Sequence, residues 1–168
     1  MKRHVSCFLI AVCGAAANAV MIGPDSAVAG SQFSGSYDIG NAIDGSGLPG
    51  GFTPGSAHAD YVTNNHWTTA SGAIGAGNAW AEFLFTNPQT LGTFYMWNHR
   101  SNNIASNATY GVLRFNLILK DAADNTVGSL MNQASLAHVA TAQTFVFGLT
   151  NNVKKARFEI LQNGTTSG

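Results

Sequence analysis

A two-residue alternation of apolar and polar side chains constrains this chain more than any other feature. From Val112 to Lys120, Leu113, Phe115, Leu117 and Leu119 alternate with Arg114, Asn116, Ile118 and Lys120. Successive side chains of a strand point to opposite faces, so the pattern predicts a strand with one buried face. Phe145, Phe147 and Leu149 repeat it, as do Ala156, Phe158 and Ile160 against Lys155, Arg157 and Glu159. Ala79 to Phe85 and Thr93 to Trp97 are aromatic-rich runs bounded by Gly, Asn and Pro, and they also read as strands. Turn residues at Asp121 to Asn125 predict a hairpin within Val112 to Leu130. Ser129 to Ala142 has a weak, Ala-based helical spacing and reads either as a helix or as a loop. Gly45 to Gly55 (GSGLPGGFTPG) reads as a flexible surface loop. With no βαβ rhythm, the expected fold is all-β, a sandwich or jelly roll.

The N-terminus reads as an address rather than as part of that fold. Lys2, Arg3 and His4 precede an apolar run from Val5 to Ala16, and Ala17-Asn18-Ala19 supplies a small-x-small cleavage pattern. These are the three parts of a signal peptide, so residues 1–19 are expected to be removed and the protein to be secreted. Both cysteines, Cys7 and Cys13, lie in that leader. The chain from Val20 onward has six Lys and Arg against eight Asp and Glu, a formal charge of −2. Without cysteine it has neither disulfides nor Cys-ligated zinc, and its stability must come from its core, with or without a metal. No basic run exceeds Lys154-Lys155, which argues against nucleic acid as a partner. Beyond the leader no stretch reaches the ~20 apolar residues of a membrane-spanning helix.

The order of landmarks carries a resemblance. Asn41-Ala42-Ile43-Asp44-Gly45 is followed by His66-Trp67-Thr68-Thr69, then Ala79 to Phe85, then Phe94-Tyr95-Met96-Trp97-Asn98-His99-Arg100. A hairpin follows, and then Ala156-Arg157-Phe158. This resembles the discoidin family, or coagulation factor 5/8 type C domains, whose pattern runs A-x-DG, W-x-S/T, W-x-x-x-x-L, W-N-R, a hairpin and A-R-[FY]. The similarity spans roughly Ser31 to Gln162. It implies a galactose-binding-like jelly-roll sandwich over residues 31–168, with residues 20–30 as a lead-in. The chain departs from the pattern at Asn65, where the family has Thr, and at His99, which separates Asn98 from Arg100. The family's closing G-x-x-E-[IV] strand is not matched, so the jelly roll is expected to be incomplete at its C-terminal end.

Two sites follow. In the resembling family the A-x-DG loop often holds calcium, which implies Asp44 as a ligand and Ca²⁺ as a structural ion, hard oxygen donors on a Gly loop suiting that cation. From the residues alone, Asp44-Gly45 also reads as a turn in which Asp bonds its own backbone. His99, Arg100, Asn102 and Asn103 form the second site. A cation, an imidazole and amides at a strand end are a donor and acceptor set that reads sugar hydroxyls, with Trp97 or Tyr95 available as an apolar platform. The bland alternative is that Arg100 pairs with a carboxylate and the amides cap turns.

Trp67 and Trp80 read as core residues. His58-Ala59-Asp60 lacks a third ligand or a nucleophile, and Glu82 is a lone carboxylate rather than a glycosidase pair. The resulting expectation is an exported, non-catalytic module that recognises carbohydrate or another cell-surface or matrix ligand. Its alternatives are a structural matrix protein without a specific small ligand, and an accessory module of a carbohydrate-active enzyme. Nothing in the residues sets an oligomeric state.

Overall fold

Each alternating segment forms a strand. A computed structural model describes residues 20–103, 105 and 109–164 together with the backbone of residues 6–13, and it is predominantly β, with 48% strand and 7% helix. The strands are β1 (Ser6–Cys13), β2 (Val20–Ile22), β3 (Ser26–Ala29), β4 (Trp67–Thr68), β5 (Trp80–Asn98), β6 (Val112–Lys120), β7 (Thr126–Ala134) and β8 (Gln143–Asn163). They pair antiparallel in the order β2-β1-β5-β8-β6-β7, with β3 also on β5 and β4 on β1. The sheet is not a closed barrel.

The two aromatic runs expected as separate strands are the two halves of β5, and the two C-terminal runs are the two halves of β8. Trp80 to Leu84 pairs with Lys155 to Glu159, and Thr93 to Met96 pairs with Gln143 to Val146. Between these ladders the register is irregular at Leu84/Gln89, Gln89/Leu91 and Leu91/Thr93. Such irregularities bend a strand and increase its twist, which lets both halves of β5 contribute to one core. Phe83 and Phe85 from the first half and Leu91, Phe94 and Met96 from the second are all buried in it.

Phe94, Phe115 and Phe158 form the centre, with ring centroids 4.9 to 5.8 Å apart. They come from β5, β6 and β8, the three strands whose alternation is clearest. Each such ring contributes about 1.5–3 kcal/mol by leaving water. Trp67 is fully buried here, as expected. Trp80 is only half-buried, with the Arg157 guanidinium 4.2 Å above its ring.

The hairpin lies where the turn residues placed it, with Asp121 accepting backbone bonds from Ala123 and Asn125. Ser129 to Ala134 belongs to β7, so neither the helix nor the loop reading holds there. Its helical spacing is Ala-based and weak, whereas pairing with β6, irregular around Asn132, gives much of its backbone hydrogen-bond partners. The segment from Gly45 to Gly55 is the surface loop expected, and it is anchored to the fold. Leu48 and Phe52 pack against Trp97, Phe52 edge-on at 5.7 Å, and the indole N–H donates to the Ser56 carbonyl at 2.8 Å. Trp97 is therefore 1% exposed and is the centre of a second small core, not a platform for ligand.

Within the segment expected as leader, Cys7 to Val12 of β1 pair with Thr93 to Asn98 of β5. The cleavage position after Ala19 lies outside the described residues. Among the described residues no helix is long and apolar enough to cross a membrane.

Candidate functional site

β5 ends on a carboxamide that is fully used. Asn98 donates to the carbonyls of Val112 and Leu136 at 2.7 and 3.0 Å, and its Oδ1 accepts from the backbone N–H groups of Val112 and His99 at 2.8 and 2.9 Å. The next residue, His99, is thereby fixed at the end of the sheet and is 4% exposed.

A second loop meets His99 from the side. Tyr61 donates its backbone N–H to the Arg100 carbonyl at 2.7 Å. Asn65 closes the turn behind it: Oδ1 accepts from the Val62 N–H at 3.0 Å, and Nδ2 donates to the Asp60 carbonyl at 2.9 Å. Asn64 takes the left-handed conformation this turn needs, with φ of 67°. The turn delivers the His66 ring to 4.8 Å from Tyr61 and 6.0 Å from His99. A short 3-10 turn at Gly35–Tyr37 brings Tyr37 to 5.1 Å from His66, with Phe33 behind it and Tyr110 beside His99. Together with Thr68 these residues enclose a cavity of about 120 Å³.

The hydrogen bonds of Asn65 set the state of His66. Because Nδ2 faces a carbonyl, the oxygen of the amide is the atom 2.7 Å from His66 Nδ1, so Nδ1 carries the proton. Nε2 is then an acceptor lone pair, and it is buried with no partner among the described residues. Burial, reinforced by the neighbouring His99 and His58, pushes the His66 pKa down to about 3, with a small opposing pull from the Val62 carbonyl. Burial and His58 push His99 down to about 4. Both imidazoles are neutral at neutral pH. A bond with Tyr37, followed by burial, raises the Tyr61 pKa, so that hydroxyl keeps its proton.

Of the residues singled out in the sequence, His99 lines this cavity. Arg100 is turned from it: Nε lies 3.1 Å from the Asp60 carboxylate and Nη1 donates to the His58 carbonyl. Asn102 and Asn103 are exposed in the following bend, where the Asn103 N–H donates to Ser101 Oγ at 3.1 Å. Asp44 stands apart, with Oδ1 accepting the Ser46 N–H at 2.7 Å in the turn expected from Asp-Gly. Among the described residues no three His, Cys, Asp or Glu side chains converge as a metal-binding group.

The residues the sequence did not disclose are Phe33, Tyr37, Tyr61 and Tyr110. His66 and Thr68 were visible only as landmarks on either side of Trp67. The one usable signal is that tyrosine is scarce in the chain, with four in all, and three of them meet here.

The fold and site define a β-sheet protein with a small, uncharged, aromatic-walled cavity at the end of its sheet. Comparison with protein-family models, curated proteins and solved structures gives no match for the chain.

Proposed function

We propose that the chain is an exported, non-catalytic binding module on a discoidin-type jelly roll, recognising carbohydrate or another cell-surface or matrix ligand at the His99 end of the sheet. The observation that carries this reading is a cavity walled by aromatic rings and two neutral imidazoles, one of which, His66, has a buried Nε2 with no partner among the described residues. A desolvated acceptor costs about 1–3 kcal/mol when nothing donates to it, and a fold retains such a group most readily where a ligand supplies the donor. Aromatic walls with a few placed polar groups are the usual composition of a small-ligand site. Arg100 and the Asn102-Asn103 bend form the outer contacts, with modest affinity per site strengthened by multiple copies.

Calcium at Asp44 belongs to the same proposal. Its second carboxylate oxygen and the turn carbonyls are hard donors of the kind Ca²⁺ takes, and the ion would stiffen the loop rather than act on a ligand.

The test is binding to an immobilised glycan panel by the wild-type protein and by Tyr61→Ala and His99→Ala. Binding by the wild type that is lost in both variants is the expected result. Retained binding in both would place the site elsewhere, and a wild type that binds no glycan or matrix component would favour a purely structural matrix protein.

A further inference from the structure

We propose that the concave surface beside Trp80 is a second binding site, in which the Arg157 guanidinium takes the carboxylate of a uronic acid residue in a saccharide. This site shares no residue with the cavity at the His99 end. It rests on the carbohydrate reading only for the kind of molecule that carries the carboxylate.

The alternation of β5 and β8 brings the groups together. Trp80 pairs with Glu159 and Glu82 with Arg157, so all four lie on the face of the sheet opposite Ala81, Phe83 and Phe158, which belong to the core. Glu82 is engaged by Lys120 at 3.7 Å. The other three hold one another in place. The Arg157 guanidinium lies 4.2 Å over the indole of Trp80, and its Nε donates to Glu159 Oε1 at 2.8 Å. Asn116, from β6, donates to Glu159 Oε2 at 3.1 Å. Burial alone would raise the Glu159 pKa, but the bonds from Arg157 and Asn116 outweigh it and the net shift is downward, so the carboxylate is charged at neutral pH. Gly30 lets the backbone pass close to the indole edge, where a Cβ would stand 2.4 Å from Nε1.

One edge of the guanidinium is left over. Trp80 covers a face and Glu159 takes Nε, while Nη1 and Nη2 have no acceptor among the described residues. Among those residues His66 Nε2 is the only buried side-chain nitrogen or oxygen without a partner, so both Nη atoms reach solvent. Arg157 lines, with Trp80 and Glu159, a concave site of about 310 Å³ whose other walls include Ile74 and Leu161. That volume is in the range of small-ligand sites.

Two coplanar N–H donors match the two oxygens of a carboxylate, and the stacking and the Glu159 bond have already fixed the fork. A hydroxyl or an amide carbonyl would use a single oxygen on the same edge. A phosphate monoester would bring nearly two charges next to the Glu159 carboxylate. Ile74 and Leu161 suit the C–H surface of a sugar ring, whereas an acidic peptide would set backbone polar groups against them.

The test is calorimetric titration of the full chain, in chelator at neutral pH, with α-1,4-linked trigalacturonate, its methyl ester and triglutamate. Trigalacturonate should bind about ten-fold or more tightly than either of the others, the scale of hydrogen bonds to a charged group. In Arg157→Lys, which keeps the charge and removes the fork, that preference should disappear. The wild type supplies a second readout. Trp67 and Trp97 are 0% and 1% exposed, so acrylamide quenching reports the half-buried Trp80, and saturating trigalacturonate should reduce it. Equal affinity for acid and ester, a preference for triglutamate, an undiminished preference in Arg157→Lys, unchanged quenching, or no binding of trigalacturonate would each overturn the uronate assignment. Glycan binding lost in Tyr61→Ala and His99→Ala would still support the site at the His99 end.

Discussion

Asn65 Oδ1 lies 2.7 Å from His66 Nδ1, and this single contact fixes the tautomer of the imidazole at the cavity wall. The amide is locked in turn by its bonds to the Val62 N–H and the Asp60 carbonyl, so it cannot flip to offer its nitrogen. One turn therefore does two jobs. It closes the loop that carries Tyr61, and it leaves His66 Nε2 as an acceptor that has no partner among the described residues.

Asn65→Leu should show how much the turn depends on this one amide. The substitution leaves the Val62 N–H and the Asp60 carbonyl without partners and frees the His66 ring, for a stability loss of about 2–4 kcal/mol. Chemical denaturation would read the loss as a lower midpoint at unchanged slope. A midpoint equal to that of the wild type would show that the turn is held by other contacts.

The neutral imidazoles make stability depend on pH in a defined direction. In the unfolded chain a histidine takes up its proton near pH 6.5, whereas His66 and His99 do so only at about 3 and about 4 when folded. Between those values the unfolded state binds more protons, so stability falls as pH falls from about 6.5 towards about 4, by a few kcal/mol in all. Melting temperature should drop across this window, and less steeply in His66→Phe, which has one titrating group fewer. A wild-type melting temperature unchanged between neutral pH and about pH 4 would contradict the burial of both rings.

Asn98 shows how a residue can sit in a ligand-like motif and serve the fold instead. Its carboxamide makes four hydrogen bonds to backbone at the meeting point of β5, β6 and the segment after β7. Asn98→Ala removes all four at once and should cost about 3 kcal/mol or more. Asn98→Asp should do no better, since it sets a carboxylate oxygen against two carbonyls. An alanine variant within about 1 kcal/mol of wild type would mean that water takes over those bonds.

The β character of the chain was legible because alternation has one structural meaning when it continues over a whole segment, as in β6. The joining of the short runs into β5 and β8 was not, because the bends between them are made by irregular register, which leaves no period in the sequence. Glycine content identified the loop at Gly45 to Gly55 but not its anchor, the packing of Leu48 and Phe52 on Trp97. His99 was found because it follows a recognisable strand end. Tyr37, Tyr61 and Tyr110 were not, because they meet only after three separate loops converge, and no local pattern encodes that.

Calcium can be tested by stability. If Asp44 and its turn hold the ion, melting in excess Ca²⁺ should occur several degrees above melting in chelator, as expected for a ligand at about a hundred times its Kd in a chain of this size. Asp44→Asn should close the gap while leaving the chelator curve almost unchanged, because an amide oxygen can still accept the Ser46 N–H that Asp44 takes at 2.7 Å. Superimposable wild-type melts with and without calcium would remove the metal from the proposal.

β1 gives the leader reading a structural consequence. Its backbone from Cys7 to Val12 covers Thr93 to Asn98 along one side of β5. A chain beginning at Val20, as expected after cleavage, lacks that cover. Alternate residues of an antiparallel strand direct their N–H and C=O to opposite neighbours, so roughly every second amide from Thr93 to Asn98 should lose its partner, while the others between Thr93 and Met96 stay bonded towards β8. Hydrogen exchange should therefore be faster at those alternate amides in the shorter chain than in the chain from Met1. Protection towards β6 should be unchanged, because β8 still pairs there from Val112 to Lys120. Identical exchange in the two chains would mean that β1 does not hold this edge in solution.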